Sequence, residues 1–287
     1  MPETNPIDPV KISVVIRTYN RSRILRDAIL SVLHQTTKAH EIIVVDDGSS
    51  DDTAAMVGDL ILHNSLAGIA YHRHGSNRGP LEAFKTGITK ASGDWIAFLD
   101  DDDIYRPEML RVTSQAIAEN PDYDMTYCDI WYPEAKTNEC PFSNTSGGWD
   151  VLQRIFYAII YPSTITIRAS VAKELAPTFP PAPTAEEVGV YIRFFGSGHR
   201  AYAINQRLVE RRETKGSLSS DNARHLVAFD RLISWFLQTY PEAPSHVREA
   251  AEIRRDRIAK HLRFLREGQP GLTIRTEPNP GGGLTIR

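Results

Sequence analysis

Trp95-Ile96-Ala97-Phe98-Leu99-Asp100-Asp101-Asp102-Asp103 is the stretch that decides the fold. An unbroken apolar run that switches abruptly to charge reads as a strand buried on both faces, with its carboxyl end delivered to a polar place. Four adjacent aspartates repel one another unless a cation or solvent screens them. Oxygen ligands on a short turn are what Mg²⁺ or Mn²⁺ prefers, and such ions commonly share their shell with substrate phosphates. The plainer alternative is a solvated acidic turn, or caps for the helix expected beyond Pro107.

Outward from this strand, the same alternation of short β-branched runs and longer helical periods fills the first 130 residues. Ile12–Ile16, Ile42–Val45, Ile69–His72 and Met125–Trp131 read as strands, and Ser22–His34 and Leu81–Ala91 as helices. Leu25, Ala28, Ile29, Val32 and Leu33 share one helical face. The pattern predicts an α/β fold: a mostly parallel, Rossmann-like sheet flanked by helices. Ligands of open α/β sheets bind beyond the carboxyl ends of the strands. Arg17-Thr18-Tyr19-Asn20, Asp46-Asp47 and Asp100–Asp103 should therefore gather into one site.

The rest of the chain is less regular. Beyond about Thr137 it becomes rich in aromatic residues, proline and glycine, which reads as a second half built on the same core. Residues 221–267 turn helical, broken at Pro241–Pro244, and carry Arg248, Arg254, Arg255, Arg257, Lys260, Arg263 and Arg266. A solvated face is the ordinary reading of that stripe; a peripheral contact with an anionic membrane or a homo-oligomer contact are the sharper ones. Residues 268–287 repeat Gly-Leu-Thr-Ile-Arg around a Pro/Gly spacer and read as a flexible tail.

The formal net charge of -3 argues against an electrostatic hold on nucleic acid, so no nucleic-acid partner is expected. No apolar run approaches the roughly 18 residues of a membrane span, and Met1–Pro9 lacks a charged start followed by an apolar core. A cytoplasmic protein is expected. Cys128 and Cys140 have neither a disulfide framework nor zinc spacing and read as free thiols.

Taken in order, Ile12–Asn20, Glu41-Ile42-Ile43-Val44-Val45-Asp46-Asp47-Gly48-Ser49-Ser50-Asp51, Asn77-Arg78-Gly79 and Gly93–Asp103 resemble family 2 glycosyltransferases with the GT-A fold. The resemblance covers residues 10–220: 10–131 as the nucleotide-sugar half and 132–220 as the acceptor half. It implies a metal-dependent, inverting glycosyltransferase that uses a nucleotide-diphosphate sugar, with UDP the favoured nucleotide, and a hydroxyl-bearing acceptor such as a carbohydrate. Arg17, Thr18, Tyr19 and Asn20 would line the nucleotide pocket. Asp47 would accept a hydrogen bond from the base, Arg78 would reach base or diphosphate, and Asp101 sugar or ribose hydroxyls.

Asp100 and Asp102 match the two acidic positions of the family's DxD motif for Mn²⁺ or Mg²⁺, Asp102 being the better placed for direct contact. Glu186-Glu187, with Arg193 downstream, resembles the family's acidic pair, and Glu187 would be the general base. Two departures stand out. Arg17 replaces the family's proline, and Thr214 stands where many relatives have a metal-site histidine, which leaves the third protein ligand open. His72, His74 and His199 can be considered as substitutes, although surface histidines without ligand spacing are the ordinary reading, and Arg212 and Lys215 are candidates for the diphosphate. The competing readings are a nucleotidyltransferase on a similar sheet, which would release pyrophosphate, and a non-catalytic nucleotide-sugar-binding protein.

Overall fold

The computed structural model describes residues 10–132, 145–157, 160–182, 184–212, 222–266, 277–278 and 284–285. Met1–Pro9, Cys140, Thr214, Lys215 and the greater part of the two pentapeptide repeats lie outside the described residues.

The amino-terminal strands are β1 (Ile12–Thr18), β2 (Glu41–Asp46), β3 (Ile69–Arg73) and β4 (Trp95–Asp100). They alternate with helices α1 (Ser22–Leu33), α2 (Thr53–His63) and α3 (Pro80–Lys90). All pair in parallel, in the order β3-β2-β1-β4. Register then places Arg17 beside Asp100, and Thr18 beside Asp46. The strand ends predicted to meet do meet.

Beyond β4 the sheet is mixed. After β5 (Asp103–Tyr105) and α4 (Met109–Glu119), β6 (Met125–Trp131) is separated from β4 by the antiparallel β7 (Ile165–Arg168). β8 (Ala201–Arg211) runs parallel to β6 and pairs antiparallel with β5, laying Arg211 beside Asp103. The far side of the sheet thus closes back onto the acidic loop.

Alternate strand residues divide the core. Val14, Ile16, Ile42, Val44, Ala97 and Leu99 face α1, α2 and α4, whereas Val15, Ile43, Val45, Ile96 and Phe98 face the opposite layer. That layer holds α3, α5 (Trp149–Tyr157), α6 (Ala169–Leu175), α7 (Glu186–Gly196), α8 (Asn222–Thr239) and α9 (Ser245–Arg266). Period-2 apolar residues with no polar face are what a doubly covered sheet requires. Helix α3 lies close on β1 because Gly87 has no side chain: a Cβ there would fall 2.3 Å from Val15 Cγ1.

Part of the basic stripe of α9 is held by neighbouring side chains and carbonyls, while Arg255, Lys260 and Arg263 stay exposed. Arg248 donates to the carbonyls of Leu237 and Tyr240, Arg255 pairs with Asp230, and Lys260 with Asp256. Arg254 lies over the Phe229 ring and Arg257 over Tyr157. Among the described residues, no helix is long and apolar enough to cross a membrane. Cys128 is a buried free thiol, held well above its usual range by burial.

Candidate active site

Three loops at the carboxyl edge of β1, β2 and β4 build the site. The loop after β1 opens with Tyr19, exposed to solvent, and Asn20, whose φ of 55° lies in the left-handed region that asparagine tolerates. Asn20 fastens this loop to the next one. Its N–H donates to Ser49 Oγ at 2.8 Å, and its Oδ1 accepts from the Ser50 N–H at 2.7 Å. Gly48 turns that second loop at φ +83°, where a Cβ would also meet the Ser76 backbone at 2.8 Å.

Asp47 is buried and holds a third segment in place. Its Oδ1 accepts from the Arg78 N–H at 2.9 Å and lies 2.7 Å from His74 Nδ1, while Oδ2 accepts from the Gly79 N–H at 2.8 Å. A carboxylate has about four acceptor positions. One direction at Oδ2 therefore remains for a further donor such as a ring N–H. The Arg78 guanidinium is half-exposed and pairs with Glu82, one turn along α3. Asp46, by contrast, is committed to the fold through the Ser49 N–H and Tyr71 hydroxyl.

The acidic loop is neither a solvated turn nor a helix cap, since Glu108, not an aspartate, precedes α4. Each aspartate has at least one donor, Asp101 and Asp102 sharing the Arg21 guanidinium. Asp100 pairs with Arg17 at 2.8 Å; Asp101 accepts from Thr18 Oγ1 at 2.7 Å and pairs with Arg21 at 3.0 Å; Asp102 pairs with Arg21 at 3.0 Å. Asp103 turns inward to the Ser163 hydroxyl, which in turn accepts from the Asp100 N–H. Burial nevertheless dominates: it pushes Asp101 up to about 6 and Asp103 up to about 7, and raises Asp100. Arg212 crosses the same loop, donating from Nε to the Asp102 carbonyl at 3.1 Å and pairing with Asp27.

The acidic pair opens α7, behind Ala185 at φ 58°. Asn20 and Ala185 are the two non-glycine residues with positive φ among the described residues, and both border this site. Backbone conformations of that kind cost energy and collect where geometry is constrained. Glu186 is buried against Arg17 at 2.6 Å. Among the described residues Glu187 has no comparable ion pair; burial first, and then the neighbouring Glu186 charge, push its carboxyl up to about 8. Arg17 lies between Asp100 and Glu186, also donating to the Pro80 carbonyl at 3.2 Å. Burial opposes its charge, but the two carboxylates outweigh that and hold it firmly protonated.

Some sequence expectations fall elsewhere. Arg193 faces away from the acidic pair, donating to Thr178 Oγ1 and the Tyr240 hydroxyl at 2.9 Å each, because six residues down a helix is most of two turns away. His74 serves Asp47, and His199 pairs with Asp124 at the other end of β6. Among the described residues, no group of three His, Cys, Asp or Glu is arranged to hold a metal. The donor set fits a hard cation in kind, all oxygen, and suits one that arrives on a diphosphate and needs only one or two carboxylates. Sequence alone does not single out Arg21 or Ser163. The signal for Arg21 is the charge of the aspartate run itself, which requires a nearby cation.

Comparisons with known proteins agree with this architecture. Residues 13–172, more than half of the chain, match the model of glycosyl transferase family 2. An uncharacterized glycosyltransferase of Rickettsia conorii is 39% identical over 114 residues, which are 40% of this chain and 18% of that one. The GalNAc(5)-diNAcBac-PP-undecaprenol beta-1,3-glucosyltransferase of Campylobacter jejuni is 42% identical over 94 residues, 32% of this chain and 30% of that protein. The chain thus spans less than a third of the length of these two relatives. Among solved structures, S. aureus TarS 1-349 in complex with UDP-GlcNAc superposes with a TM-score of 0.67 at 17% identity, covering 97% of both chains. The mannosyltransferase PcManGT from Pyrobaculum calidifontis, with GDP-Man and Mn2+, gives 0.62 at 14%, covering 94% of this chain and 80% of that one. With the fold, the loops and the family model in agreement, the chain belongs to glycosyl transferase family 2.

Proposed function

We propose that this protein transfers a sugar from a nucleotide-diphosphate donor to an acceptor hydroxyl, with inversion at the anomeric carbon. The observation that carries the reading is the meeting of two acid clusters through one arginine, Asp100–Arg17–Glu186, which puts the half-buried Glu187 beside the strand-end loops. In this reading Tyr19 would offer its exposed ring to the base, Asp47 Oδ2 would accept from a ring N–H, and Arg78 and Arg212 would serve the diphosphate. Asp102, assisted by Asp100, would hold Mn²⁺ or Mg²⁺, whose chemistry is to neutralise charge growing on the departing diphosphate. UDP is the favoured nucleotide; TarS, the similar fold named above, was solved with UDP-GlcNAc.

The chemistry assigned to the chain itself is proton removal. The acceptor oxygen forms a bond to the anomeric carbon while the carbon–oxygen bond to the diphosphate breaks. The hydroxyl proton passes to Glu187, and the nucleoside diphosphate leaves. A base whose pKa lies near the working pH serves this step well, and a positioned carboxylate contributes about 10²–10⁴-fold. A solvated carboxylate near its ordinary pKa would be a weaker base.

Product analysis tests the reading. Incubated with a UDP-sugar, Mn²⁺ and candidate hydroxyl acceptors, the protein should release UDP in step with glycosylated product. Release of pyrophosphate from a nucleoside triphosphate would instead establish a nucleotidyltransferase. Nucleotide-sugar binding that leaves the sugar intact with every acceptor would favour the non-catalytic reading.

A further inference from the structure

Arg17 makes contacts that a nucleotide-lining residue would not need. Its guanidinium is mostly buried and is surrounded by three oxygens from distant parts of the chain: Asp100 Oδ1 at 2.8 Å, Glu186 Oε1 at 2.6 Å and the Pro80 carbonyl at 3.2 Å. The Phe84 ring lies 5.3 Å below its central carbon. The two carboxylates are separated from Arg17 by 83 and 169 residues of chain. Two acids and a carbonyl converging on one desolvated cation is the kind of oxygen cradle in which a hard divalent ion sits.

We infer that Arg17 is a positioning residue that occupies this cradle as a built-in cation, tying Asp100 to Glu186 and excluding a divalent ion from the space between them. The inference rests on the donor reading above only in identifying the two halves that Arg17 joins. It has two consequences. Asp100 is held by the protein before any donor arrives, so a metal arriving with a diphosphate relies chiefly on Asp102. Glu186 is neutralised by its own partner, which leaves the adjacent Glu187 as the member of the pair able to exchange a proton. A Lys at this position keeps the charge but cannot span both carboxylates with planar geometry.

The test is a titration with Mn²⁺ alone, without nucleotide, following the free-ion electron paramagnetic resonance signal. Wild type and Arg17→Lys should bind weakly. Arg17→Ala should gain one site per chain, at least about tenfold tighter, as expected of a freed pair of carboxylates, and the double variant Arg17→Ala/Glu186→Gln should lose it again. A folded Arg17→Ala protein that binds Mn²⁺ no better than wild type would overturn the inference. So would tight nucleotide-independent binding by wild type. Should Arg17→Ala fail to fold, refolding it with and without Mn²⁺ decides the same point: selective rescue by the ion supports the cradle, and absence of rescue overturns it. Repeating the wild-type titration with UDP present tests the donor reading separately, because the Arg17→Ala gain involves no nucleotide.

Discussion

Two carboxylate clusters face one another across this site, and they are handled differently. In the loop after β4, Asp100, Asp101 and Asp102 are paired with Arg17 and Arg21 from the end of β1 and the loop that follows it, and Asp103 is given a buried hydroxyl. At the start of α7, Glu186 receives Arg17 while Glu187 is left with burial and a negative neighbour. The first arrangement stores charge for a ligand by balancing it within the protein, so that the strand ends can carry four aspartates and still fold. The second leaves one acid poised between its protonation states. Burial raises carboxyl pKa values in both clusters, Asp101 to about 6 and Asp103 to about 7 despite their partners, and pushes Glu187, which has no comparable ion pair among the described residues, furthest, to about 8.

Replacing Glu187 by alanine is the harshest way to break that contrast. Transfer should fall by about 10²–10⁴-fold, with nucleotide affinity nearly unchanged. Surviving transfer would remove Glu187 from the role of base. Asp102→Ala acts on the other cluster. The Mn²⁺ enhancement of donor binding should fall by at least about tenfold, while binding measured with a chelator stays the same, because a lost metal ligand affects only the metal-assisted part.

Asp47→Ala should destabilise the fold by about 1–3 kcal/mol in denaturant unfolding, since the Arg78 and Gly79 N–H groups lose their shared acceptor, and donor affinity should weaken with it. An unchanged midpoint would mean that water replaces the carboxylate without cost.

The smallest effect is a slope in pH. Glu187 must be ionised to accept a proton, so kcat/KM should rise with pH and level off above about 8. Its contribution to stability runs the other way. Between the ordinary carboxylate range and about 8, the folded protein keeps a proton that the unfolded chain has released, so stability declines as pH rises through that window. Glu187→Gln should flatten this decline in melting experiments. A slope that persists unaltered in that variant would assign it to other carboxyls of the site.

The amino-terminal half was legible because its signals are local. Runs such as Glu41–Asp46 and Trp95–Asp100 announce doubly buried strands, and parallel register then brings Arg17, Asp46 and Asp100 to one edge without further information. What was not legible depends on long-range pairing. Nothing in Ile165–Arg168 marks it as an antiparallel strand between β4 and β6, since so short a run carries too little period to set direction. The partnership of Arg17 with Glu186 joins positions 169 residues apart. Resemblance picks out Arg193 downstream of the acidic pair, but its contacts with Thr178 and Tyr240 depend on how its helix packs. On α9 the charge count is plain in the sequence, whereas the contacts of Arg255, Arg254 and Arg248 with Asp230, Phe229 and the end of α8 depend on how the hairpin packs.

The central claim, that the strand-end loops form a nucleotide-diphosphate site served by a divalent metal, is tested most directly by calorimetric titration with UDP, dTDP and GDP, each with Mn²⁺ and with a chelator. Saturable binding of one diphosphate, favouring UDP and strengthened by Mn²⁺, is the predicted result. A folded protein that binds none of the three would contradict it and reduce the aspartates to architecture.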